Sequence, residues 1–200
     1  MALIKLNDRA VKDATTFGSI SSLGEMKFIS KATASASASI EFTSGIDSTY
    51  KEYVFYFNNM HPDTNGIYFS FQGSTDGGSS YGVNITSSAY RARHYENDSV
   101  ADLSYNTDFD LAQSTSFNQL IVIGNQSDES ASGYLHLFNP SSTTFVKHFI
   151  TRMNGYHSSD FTHDAGVGGY FNTTSAIDAI KFQMSSGNID AGEILLFGVN

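Results

Sequence analysis

An all-β chain, folded as an antiparallel β-sandwich of jelly-roll type with a short N-terminal arm, is what the sequence predicts. Three observations predict it. Apolar and polar residues alternate with a period of two in several runs, the connections between runs are rich in Gly, Ser, Asn and Asp, and no segment sustains a helical period. The chain has 200 residues and only two prolines, enough length to bury a core without covalent staples.

Residues 1–25 come first and show no clean period, so they are assigned as an arm, with residues 26–200 as the sandwich domain. In ATASASASIEF (32–42), Ala32, Ala34, Ala36, Ala38, Ile40 and Phe42 alternate with serine, threonine and glutamate, which predicts one strand with a dry face. A helix would scatter those alanines around its circumference. Further strands are expected at YKEYVFYFNNM (50–60), GIYFSFQG (66–73), AYRARHYE (89–96) and FNQLIVIG (117–124). GYLHLFN (133–139), TFVKHFITRM (144–153), VGGYFN (167–172), AIDAIKFQMS (176–185) and GEILLFGV (192–199) complete the series. The NPSSTT connection predicts a hairpin that brings His136 and His148 near one another across the strand pair.

Composition narrows the chemistry. Eleven Lys and Arg stand against twenty Asp and Glu, a net charge of -9, so nucleic acid would be repelled and is not expected as a partner. Charge is uneven along the chain: Lys5, Arg9, Lys12, Lys27 and Lys31 outnumber Asp8, Asp13 and Glu25 near the start, which sets the arm apart from an acidic body. Cysteine is absent, which removes disulfides, thiolate zinc sites and thiol catalysis. The longest apolar runs, such as ILLFGV (194–199), are too short to span a bilayer, and no membrane insertion is expected.

The most motif-like string is STDGGSSY (74–81). Its spacing resembles the Asp-box hairpin of sialidases and other propeller proteins, and Asp-Gly between alternating runs predicts a hairpin turn. It occurs once in a chain too short for a propeller, and Asp76 alone is a poor calcium loop, so the resemblance implies a turn rather than an enzyme. His157, His163, Asp160 and Asp164 in YHSSDFTHD match no standard metal spacing and read as a polar loop. Asp98, Asp102, Asp108 and Asp110 read as a solvated acidic loop rather than a glycosidase pair. No nucleophile motif accompanies the histidines, so no catalytic residue, metal or cofactor is assigned.

In AYRARHYE, alternation places Arg91 and Arg93 on one strand face, and with Tyr90 and Tyr95 they form a candidate ligand-binding set for a sugar or protein. An edge strand guarded by charge is the competing account. Tryptophan is absent, but eleven tyrosines supply stacking surfaces.

AIDAIKFQMSSGNIDAGEILLFGVN (176–200) reads as strand, turn and closing strand, and resembles the endings of tailed-bacteriophage virion proteins built on jelly-roll or galactose-binding-like sandwiches. MALIKLNDRAV (1–11) is similar to the short N-terminal segment of structural proteins from phages of marine bacteria, and GYLHLFNPSSTTFVKH (133–148) has the same character. The resemblance implies a noncatalytic virion component, on tail or head. Leu3, Ile4, Lys5, Leu6 and Arg9 would anchor the arm to other virion proteins. A homo-oligomer, a trimer being one suitable state, suits that role, and the rival reading is a carbohydrate-binding module that recognises a host surface glycan through its tyrosines and arginines.

Overall fold

Thirteen strands and no helix occupy residues 26–199, the part of the chain that the computed structural model describes. They are β1 (Met26–Thr33), β2 (Ile40–Phe42), β3 (Glu52–Pro62), β4 (Ile67–Ser74), β5 (Ile85–Tyr95), β6 (Ala101–Tyr105) and β7 (Leu111–Ser114). Then follow β8 (Asn118–Ile123), β9 (Ala131–Phe138), β10 (Lys147–His157), β11 (Phe161–Phe171), β12 (Ala179–Met184) and β13 (Ile189–Val199). A nine-stranded sheet runs β1-β13-β3-β9-β10-β11-β5-β6, with β7 also paired to β5, and a four-stranded sheet runs β2-β12-β4-β8. The pairings are antiparallel. The all-β sandwich expected from the alternation is therefore present.

Setting aside β5–β7 and β10–β11 leaves two four-stranded layers, β1-β13-β3-β9 and β2-β12-β4-β8, between which the chain crosses at every connection except β4 to β8. The strands set aside all extend the larger sheet beyond β9.

Alternation drives the two sheets together. β10 shows it plainly: Phe149, Thr151 and Met153 are buried, whereas His148, Ile150 and Arg152 face out. Phe182 of β12 is the centre of the interior, with its ring against Phe55 (5.3 Å), Phe57 (5.2 Å), Phe69 (5.9 Å) and Phe42 (6.2 Å). Most of these contacts are edge-to-face, the arrangement that aromatic quadrupoles favour. Lys147 is also fully buried, and its Nζ donates to the carbonyls of Phe145 (2.9 Å) and Thr173 (3.1 Å) while burial pushes its pKa down.

Four expectations need correction. The run 32–42 is not one strand: β1 ends at Thr33, Ala36 adopts φ 49°, and the chain re-enters as β2 in the opposite sheet. Ala34, Ile40 and Phe42 stay buried, but Ala36 and Ala38 are exposed at this crossing. The turn at STDGGSSY is real, with Gly77 and Gly78 at φ 70° and 87°, yet it joins strands of different sheets, so it is a crossover and not a hairpin. Residues 98–110 are not a loop, because β6 lies within them and pairs with β5. YHSSDFTHD is not a loop either: His157 ends β10, His163 lies inside β11, and only a tight turn separates the strands.

The Asp76 carboxylate explains why the crossover turn holds its shape. It accepts hydrogen bonds from the Ser74 hydroxyl (2.6 Å), the Ser80 amide (2.9 Å) and the Ser80 hydroxyl (2.5 Å). These donors pull its pKa down to about 2.

Candidate ligand-binding face

The four ligand-binding candidates do not share a surface. Tyr90 points out from the larger sheet, whereas Arg91, Arg93 and Tyr95 lie on the side that faces the sandwich interior, as period-two alternation requires. Arg93 is bound to Asp102 through Nε and Nη2, at 2.9, 3.1 and 2.9 Å. The Tyr95 ring stacks on Phe161 at 4.6 Å. β5 is flanked by β11 on one side and β6 and β7 on the other, so charge here does not guard an edge. The anchoring residues Leu3, Ile4, Lys5, Leu6 and Arg9 lie outside the described residues.

The inner side of β5 and β11 holds a compact polar cluster. His163 is 1% exposed and stacks against Phe109 at 5.7 Å, with His157 at 6.1 Å and Phe161 at 5.9 Å. Neither ring nitrogen of His163 has a hydrogen-bond partner among the described residues, nor does the buried Nε of Arg91. Burial first, then the charges of His157, Arg91 and Arg93, drives the His163 pKa down to about 4. Asp164 is on the opposite face, bidentate with Arg152 at 3.0 and 2.7 Å, so strand alternation separates it from the imidazoles. Among the described residues, no group of three or more His, Asp or Glu side chains is placed to hold a metal ion. No described helix is long and apolar enough to cross a membrane.

Tyr90 belongs instead to the outer face of the nine-stranded sheet. One row in register runs Tyr56, Tyr134, Arg152, Gly166, Tyr90, Tyr105 across six strands. The next row reads Val54, His136, Ile150, Gly168, Ser88. The Tyr90 ring covers Gly166, whereas Gly168 leaves the middle of β11 bare, and a furrow opens there. Its two depressions, about 470 Å³ and 350 Å³, share Ser88, Ile150 and Gly168 and are flanked by His148, Tyr170, Tyr90 and Tyr105. Tyr90, Ile150 and Tyr105 are 47%, 54% and 58% exposed.

His136 and His148 do lie on this same face of paired strands, offset by two residues, since His136 pairs with Ile150. His136 Nδ1 is hydrogen-bonded to the Glu52 carboxylate, and the His148 ring meets Tyr170 edge-on at 5.8 Å. At the far end of β11 a third depression, about 580 Å³, is lined by His94, Glu96, Asp98, Asp128, Tyr156 and Thr162. Burial, then the Glu96 carboxylate, pushes the Tyr156 phenol up to about 12.

Of the residues around the furrow, only Tyr90 was a sequence candidate for ligand binding. The available signal for the others was Gly166-x-Gly168 inside a strand, which marks a face without side chains. Comparison with protein-family models, curated proteins and solved structures returned no match.

Proposed function

We propose that the protein is a noncatalytic recognition component of a phage virion. Its sandwich is displayed outward on an N-terminal arm, and the outer face of the larger sheet contacts a host surface glycan. The exposed tract of Tyr90, Tyr105 and Ile150 around the furrow carries this reading, because exposed aromatic faces over a groove are suited to stacking on sugar rings. The eight-strand alternation between two layers supports a jelly-roll ancestry for the body, and the sequence resemblance supports the virion setting. A noncatalytic role agrees with the engagement of carboxylates in ion pairs, Asp102 with Arg93, Asp164 with Arg152, and Glu41 with Lys181.

The test is binding of the purified protein to a glycan array, with Tyr90→Ala as the control. Retained hits that vanish in the variant support the reading, and a blank array removes it. Labelled antibody on intact virions tests the setting separately.

A further inference from the structure

Resting on the glycan reading above, the furrow also indicates which glycan. We propose that the groove over Gly168 seats a linear, uncharged oligosaccharide lying along β11, and that anionic glycans are turned away.

The first support is a glycine that the chain itself does not need. Glycine inside a strand is destabilising relative to alanine, so each one in β11 calls for a reason. At Gly169 the reason is packing: a Cβ there would sit 2.5 Å from the Thr86 carbonyl oxygen and 2.9 Å from the Phe149 ring. At Gly166 it is again packing, because the Tyr90 ring lies 2.4 Å from the place of a Cβ. At Gly168 a Cβ would meet nothing within 4 Å, and its φ is not left-handed. Neither backbone conformation nor internal packing explains Gly168, and what its small size preserves is the open floor of the furrow.

The walls set the ligand class. Ile150, Tyr90 and Tyr105 offer apolar surface to the CH face of a pyranose ring, while the Ser88 hydroxyl and the His148 ring make no hydrogen bond to other described residues and remain for sugar hydroxyls. The furrow runs from the Tyr170 side chain past Gly168 to the Tyr90 ring over Gly166, its two ends about 13 Å apart along the backbone at the rise of a strand. Charge then discriminates. No lysine lines the furrow, and the nearby Arg152 is held by Asp164. Glu96, Asp98 and Asp128 surround the next depression on a chain of net charge -9. A carboxylated or sulfated sugar would therefore meet repulsion, with no lysine or unpaired arginine among the described residues lining the furrow to answer it.

The experiment titrates purified protein with neutral cello-, malto- and N-acetylated chito-oligosaccharides and with oligogalacturonates and oligosialic acids, by calorimetry at low and moderate salt. Expected is binding of at least one neutral series, with the anionic series weaker by about tenfold or more. Gly168→Leu, whose Cβ would meet nothing within 4 Å, should abolish binding while leaving the melting temperature unchanged or raised. Should that variant not fold, Tyr105→Ala carries the same test from the sheet edge. Preference for an anionic series, or full binding by a folded Gly168→Leu protein, overturns this inference while leaving glycan recognition standing. Absence of binding to any glycan, including the full array, overturns both.

Discussion

Burial holds the His163 ring neutral between Phe109 and a pair of arginines, and that makes it an acid-sensitive point in the interior. Its folded pKa of about 4 lies below the ordinary 6.5, so the unfolded chain takes up the proton first. Stability contributed by the neutral ring is complete above pH 6.5 and is lost as pH falls toward 4, to the extent of at most about 3 kcal/mol. Urea unfolding at pH 7 and pH 4.5 should show this loss, and His163→Phe, which keeps the stacking and removes the proton site, should show less of it. Tyr53 offers a second test. Its hydroxyl donates to the Asp47 carbonyl (3.1 Å) and accepts from the Asp47 amide (3.0 Å), so Tyr53→Phe should cost about 1 kcal/mol of unfolding free energy.

Among the elements, β11 shows how one strand serves two faces. Gly169→Val should destabilise by about 1–3 kcal/mol because its side chain would enter the Thr86 backbone and Phe149, whereas Gly168→Val should be neutral or stabilising. A comparison of the two melting temperatures decides it. Strands with long alternation, such as β10 and β13, were legible because apolar residues such as Phe149 and Met153, or Ile194 and Leu196, recur at every second or fourth position on the inner side while their neighbours tolerate water. β6 was not, since Ala101–Tyr105 spans only five residues and none is fully buried, leaving no dry face to read. The 32–42 run misled for the opposite reason: its alternation is regular, but Ala36 turns the chain from one sheet to the other, and small side chains disguise the break. The candidate site was legible only at Tyr90. Ile150, Tyr105 and Gly168 come from three other strands, and local alternation carries no information about which strands become neighbours.

At the scale of the whole molecule, the two sheets are joined through the rings around Phe182. Phe182→Ala should cost about 3–5 kcal/mol, measured by denaturant unfolding, because the cavity would open between β3 and β4 at once. The virion setting has its own test at this scale. Deleting residues 2–20 should leave a folded sandwich that no longer joins particles; normal incorporation would refute anchoring by the arm.

The larger sheet outruns its partner. The four-stranded layer ends at β8, which lies against β10 and β11, and past that edge it lends β5 no strand among the described residues; the short segment carrying Phe109 is tied down there by the Asn118 side chain at 2.7 Å. Deuterium should therefore enter the amides of β6 well before those of β3 and β13, with β5 between them. The furrow straddles this gradient, one wall on the slowly exchanging side and the other on the part freest to breathe. Its width can then change without disturbing the body that carries it.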